Sequence, residues 1–171
     1  MKVPETYDYL VRARRDLWAT LESAPDKVLS RPLLDGKRMH CIKDLVFHIA
    51  AVEDGWLHED ILSEQPVREN VPALKDAEWG PVYAGFALKT LLDYWRLVEQ
   101  STLAYLATLT EDELNRIVIV HDAPEERYTV DGLLWHVMIH EMRHTAQIAV
   151  LLRTQGIEPP WLDLKNYLPF S

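Results

Sequence analysis

Apolar residues at Tyr7, Leu10, Val11, Leu17, Trp18 and Leu21 fall three or four apart or at multiples of a turn, with charged residues between them. That spacing puts one apolar stripe on a helix and predicts a first helix from Thr6 to Ser23. Ala24-Pro25-Asp26 ends it, and a turn-rich segment runs on through Arg31-Pro32 and Asp35-Gly36. A second stripe, Ile42, Leu45, Val46, Ile49, Val52, Trp56, Leu57 and Ile61, predicts a helix from Cys41 to Leu62. Pro66 and Pro72 lie in a polar connection that reaches Gly80-Pro81 and is long for a bundle loop.

The third stripe, Ala84, Leu88, Leu91, Trp95, Val98, Thr102, Tyr105 and Leu109, predicts a helix over Pro81 to Leu109, with Pro81 in its first turn. Thr110-Glu111-Asp112-Glu113 has the form of a capping box and starts a short extra turn. Two β-prone pieces, Ile117 to Val120 and Arg127 to Val130, flank a turn and suggest a small hairpin. A fourth helix is expected from Val130 to Gln155, with Leu133, Leu134, Val137, Ile148, Leu151 and Leu152 inward and Gly156 as its stop. The tail beyond it is apolar enough to pack on the bundle. Four helical patterns with little strand signal give an all-α four-helix bundle, and 171 residues suit a single domain over 1–171.

Composition narrows the function. With 27 acidic against 18 basic residues the formal charge is −9, which repels a phosphate backbone and argues against nucleic acid. Arg12, Arg14 and Arg15 are the one basic cluster and read as a solvated helix face. Charged residues or His interrupt every apolar run short of membrane-spanning length, so no membrane partner is expected. The first residues lack a secretory pattern, and the expected location is the cytoplasm. Cys41 is the single cysteine, so it has no partner for an internal disulfide and reads as packing.

The candidate chemistry lies in histidine. His136, His140 and His144 recur every four residues, each step turning the side chain by about 40° and raising it about 6 Å, so neighbours can share one ion while the outer pair stands about 12 Å apart. His140 and His144 lie on or beside the buried stripe, and His136 is turned from its centre. His48, mid-helix on the edge of the second stripe, is the best third ligand. His40 precedes that helix, His58 is rotated from His48 by about 80°, and His121 sits in a turn. Asp44 and Glu53 flank His48 as acceptors for its ring or as exposed helix acids.

His140-Glu141-Met142-Arg143-His144 also spells HExxH, in which the Glu of a zinc peptidase activates water. The residues after His144 lack the further His and Gly of metzincins, and the 27 that remain hold only Glu158 and Asp163 as acids, beside prolines. The peptidase reading therefore ranks last. Glu141, about 100° around the helix from His140, is a candidate general base or a solvated acid.

Three stretches carry a likeness. They are Asp44-Leu-Val-Phe-His48-Ile-Ala-Ala-Val-Glu-Asp-Gly-Trp56, Leu134-Trp-His136-Val-Met-Ile-His140-Glu-Met-Arg-His144-Thr-Ala-Gln147, and Leu151-Leu-Arg-Thr-Gln-Gly156. In them the chain resembles the DinB-like, or YfiT-like, family of metal-binding four-helix bundles. The resemblance implies an up-down-down-up helix order, commonly a homodimer, and nickel or zinc held by one His of the second helix and a His-x-x-x-His pair of the fourth, here His48, His140 and His144. Where the family often has Arg-Gly-Gln, this chain has Thr145-Ala146-Gln147.

The resemblance implies a small-molecule substrate: some relatives are thiol S-transferases using bacillithiol, mycothiol or glutathione, and others are described as metal-dependent hydrolases. The leading expectation is a metal-dependent enzyme that activates a water or a low-molecular-weight thiol. The rival is a noncatalytic, metal-stabilised stress-response or interaction protein.

Overall fold

The computed structural model describes residues 2–36, 38–75 and 83–168. Helix α1 spans Val3–Ser23, with a proline in its first turn and the Glu5 carboxylate accepting from the Lys2 N–H at 3.1 Å. Ala24, extended before Pro25, ends it. A single turn, α2 (Asp26–Leu29), follows in the segment expected to be turns alone.

Helix α3 (Ile42–Asp54) is capped by Asp44, whose Oδ2 accepts the N–H groups of His40 and Cys41 at 2.9 and 3.3 Å. Its Oδ1 accepts the Tyr83 N–H at 2.7 Å, which ties the incoming end of the next helix to α3. The expected second helix does continue to Leu62, but Gly55–Leu62 is wound as a π-helix and stops at Ser63, in left-handed conformation. A 3₁₀ turn, Val67–Asn70, lies within the long connection.

Helix α4 spans Leu88–Leu106, shorter than the predicted Pro81 to Leu109. Pro81 lies outside the described residues. Tyr83 to Ala87 form a turn instead of helix, because the Tyr83 ring packs on Phe47 at 3.7 Å between centroids and Ala87 is extended at the N-cap. Thr110 Oγ1 accepts the Glu113 N–H at 3.2 Å and starts α5 (Glu111–Asn115), as its capping pattern predicts. The hairpin pairs β1 (Ile117–Val120) with β2 (Ala123–Thr129), longer than expected at its second strand and shifted in register after Ile119, where the irregularity accommodates Pro124. Helix α6 (Val130–Thr154) is capped by Thr129 and ends at Gly156, whose φ of 75° suits a residue without Cβ.

Contacts fix the helix directions. Arg14 meets Glu99 and Glu22 meets Arg96, so α1 and α4 run oppositely. Asp54 meets Tyr94 and His58 meets Ser101, so α3 and α4 run together. His48 meets His144 while Trp56 meets His136, so α6 opposes α3. The order is up-down-down-up, as the family likeness implied.

The core divides into two apolar halves. One holds Leu17, Trp18, Leu45, Val46, Ile49, Trp95, Val98, Ile148 and Leu152. The other holds Val3, Leu10, Ile61, Val118, Val130, Leu133 and Met138. Between them on the four long helices lie Arg14, Glu53, Glu99 and Glu141, all buried. Leu162, Leu164 and Tyr167 of the tail pack on the second half, while Trp161 stays 71% exposed. Among the described residues no helix is long and apolar enough to cross a membrane.

Candidate metal centre

His48 projects from a stretch of α3 in which Leu45, Val46, Phe47 and Ile49 are buried, and His140 and His144 project one turn apart from α6. Antiparallel packing of these helices brings the three rings together, with centroids 4.8 Å apart for His48 and His140, 4.9 Å for His48 and His144, and 4.4 Å for His140 and His144. One nitrogen from each lies within 4.8 Å of the others. The Nε2 atoms of His48 and His140 are 3.0 Å apart.

That donor set suits a divalent ion. Two nitrogens each about 2.0 to 2.1 Å from one ion stand about 2.9 to 3.4 Å apart for angles from square to tetrahedral, which brackets the His48–His140 separation. Burial presses the His48 ring down to about 4, with His144 and Arg143 adding repulsion. Burial likewise takes His140 to about 3, with His144 and His48 adding to it, and lowers His144. At neutral pH all three imidazoles are uncharged and keep a lone pair for a ligand bond. His144 Nδ1 lies 2.6 Å from Gln147 Oε1, so Nδ1 carries the proton and Nε2 is left free.

The remaining histidines are elsewhere. His136 packs edge-on against Trp56 at 5.4 Å. His40 bonds the Leu34 carbonyl and His121 bonds Asp122. His58 lies between Asp54 and Ser101. Cys41 is buried, and burial pushes its thiol up to about 11, in keeping with a packing role.

The acids differ from expectation. Glu141 is neither solvated nor grouped with the three imidazoles: Arg14 Nε donates to its Oε1 at 2.9 Å and Nη2 to its Oε2 at 2.5 Å. Burial raises the Glu141 carboxyl, and Arg14 opposes that rise. Arg14 also pairs with Glu99 at 2.9 Å and Glu53 at 3.4 Å, while Tyr7 and Thr102 donate to Glu53. Burial works against the charge of Arg14, but Glu141, Tyr7 and Glu53 outweigh it and hold its pKa well above the ordinary value. The expected solvated face of Arg12, Arg14 and Arg15 is therefore corrected at Arg14, since a guanidinium taken out of water needs several acceptors and three helices supply them. Asp44 and Glu53, expected beside His48 or in solvent, are instead a cap and a member of this layer. A helical stripe that counts apolar residues alone carries no signal of such a layer.

A cavity of about 840 Å³ lies between α1, α6 and the tail, with Leu10, Leu17, Met142, Ile157 and Trp161 in its walls and Arg14 and Glu141 at its base. None of the three clustered histidines lines it.

A four-helix bundle that gathers three neutral imidazoles from two antiparallel helices defines a helical-bundle protein with a three-histidine donor set. The chain belongs to the DinB family, whose sequence profile matches residues 1–170. Among solved structures, a conserved protein from Enterococcus faecalis superposes with a TM-score of 0.66 at 18% identity, over 90% of this chain and 96% of that one, a likeness of fold. No curated protein matches.

Proposed function

We propose that His48, His140 and His144 hold one divalent ion, nickel or zinc, and that the protein is a metal-dependent enzyme acting on a small molecule, as a hydrolase or a thiol S-transferase. The observation that carries this reading is the convergence of three uncharged imidazoles from two helices, with no carboxylate or thiolate joining them among the described residues. Imidazole suits zinc and nickel alike. When bound, the ion would act as a Lewis acid toward water or a low-molecular-weight thiol and lower its pKa towards neutrality. The residues do the rest: α3 and α6 hold the rings against one another, and Gln147 fixes the tautomer of His144. Glu141 anchors α6 to α1 through Arg14. A cytoplasmic homodimer belongs to the same proposal through the family likeness.

Metal analysis of protein purified without a histidine tag tests the site. The parent is expected to carry about one ion per chain, and His48→Ala and His144→Ala less than about a tenth of that, since each loses one of three ligands. Unchanged stoichiometry in both variants removes the proposal. Gln147→Leu is expected to weaken metal affinity by about 10- to 100-fold, read by competition with a chelating dye, because the partner of His144 Nδ1 is gone. An affinity within about twofold of the parent would show that Gln147 does not set the ring.

The rival, a noncatalytic metal-stabilised stress-response or interaction protein, draws support from the large cavity lying away from the histidines. A thiol-transfer screen with bacillithiol, mycothiol and glutathione, followed by a hydrolase panel, separates the two. Turnover lost in His144→Ala supports the enzyme, and silence across both screens with a metal-dependent melting temperature supports the rival.

A further inference from the structure

His58 is buried outside the three-histidine cluster, on the π-helical turn. Its Nδ1 lies 2.8 Å from Asp54 Oδ1 and 3.2 Å from the Asp54 carbonyl, and its Nε2 lies 2.7 Å from Ser101 Oγ on α4. Two acceptors facing Nδ1 place the ring proton there and leave the Nε2 lone pair for the serine hydroxyl. Asp54 is itself held from several sides: Oδ1 accepts the Val67 N–H at 2.9 Å, and Oδ2 accepts the Arg68 N–H at 3.0 Å and the Tyr94 hydroxyl at 2.7 Å. A nucleophile, a base and an orienting carboxylate thus stand in hydrogen-bond sequence.

The direction of the Ser101 hydroxyl is informative. Thr20, Thr102, Thr145 and Thr154 each turn their hydroxyl back to a carbonyl three or four residues earlier, the ordinary habit of such residues in helices. Ser101 bonds His58 instead. Ser101 is half-buried, within reach of solvent, and Leu97, one turn before it on the same face, is 45% exposed and offers an apolar seat. Local π-winding is frequent at functional sites.

We propose that Ser101 is an activated nucleophile, with His58 as its general base and Asp54 orienting that base, forming a second reactive centre for small activated esters with a short apolar acyl group. Ser101 Oγ bonds to the ester carbonyl carbon as its proton passes to His58 Nε2. The bond from that carbon to the leaving oxygen breaks, and the leaving oxygen takes the proton from His58. The products are the Ser101 acyl ester and a free alcohol, and water attacking by the same proton path returns the serine and a carboxylic acid.

The centre stands independently of the metal proposal, because acylation marks a serine that can be located. The protein as purified is treated separately with a fluorophosphonate probe and with p-nitrophenyl acetate, and adducts are located by peptide mass mapping. Ser101 is expected to be modified in the parent and, in His58→Gln, about 100-fold more slowly, the scale of a general base. Modification of Ser101 no faster than that of exposed Ser23 and Ser63 overturns the proposal. Ser101→Cys provides a second readout if His58→Gln unfolds or the hydroxyl serves only to join α3 to α4. Its thiol is expected to react with iodoacetamide at least about tenfold faster than a thiol of ordinary pKa exposed to the same degree, and a rate equal to that reference also overturns it.

Discussion

Replacing Arg14 by methionine is expected to lower the unfolding free energy by about 3 to 5 kcal/mol at neutral pH, the range for removing one partner of a buried ion pair. Methionine retains much of the apolar stem, so lost volume is the smaller part of the effect. The larger part is electrostatic: Glu53, Glu99 and Glu141 stay buried on three helices with the central cation gone, and among the described residues Arg15 alone still reaches the layer, at Glu99 from the surface.

The deficit has a defined pH dependence. Burial already raises the Glu141 carboxyl against the pull of Arg14, and without Arg14 the rise is larger. A carboxyl whose folded pKa lies above its unfolded value stabilises the fold fully below the unfolded pKa and loses that contribution as pH rises through the folded one. The variant should therefore approach the parent near pH 5 and fall furthest behind at pH 7.5. Adding Glu141→Gln to it should recover at least about 1 kcal/mol at pH 7.5 by removing one unpaired charge. Urea denaturation at both pH values measures this, and a deficit under about 1 kcal/mol or one indifferent to pH would refute the account.

Trp95→Ala should lose about 3 to 5 kcal/mol, while Trp95→Phe should lose less than half as much. Trp95 is fully buried, edge-on to Trp18 at 5.5 Å between centroids, with the Arg14 guanidinium 4.9 Å from its ring centre. Alanine vacates the junction between the apolar half that holds Trp18 and the charged layer. Phenylalanine keeps a ring there and removes the indole N–H, which has no hydrogen-bond partner among the described residues. Because Trp95 touches Arg14, Trp95→Ala and Arg14→Met should combine with a coupling of at least about 0.5 kcal/mol. Equal losses in Phe and Ala would mean that the outer ring of the indole carries the packing and the unpaired N–H is immaterial.

The long helices were legible because each buries one continuous stripe, a pattern written in local spacing. Their ends were less so. Helix α4 starts at Leu88 because Tyr83 is held by Asp44 and Phe47, contacts across about forty residues that no local window contains. The His140 and His144 pair was visible for the same reason as the stripes, four residues being about one turn. His48 could be selected because it lies mid-helix beside a stripe, whereas its distance from the pair had to come from the packing of α3 on α6.

The sequence by itself determined the class of the fold, the positions of four amphipathic helices and the pair of histidines on the last of them, since all of these are properties of residues within a turn or two of one another. Only the tertiary structure decided which polar groups face each other. It turned Glu141 from His140 toward Arg14, buried an arginine that reads as surface, and set Ser101 beside a histidine forty-three residues earlier. The physical reason is that a buried charge or hydroxyl is tolerated only through the partners it meets, and those partners come from other helices.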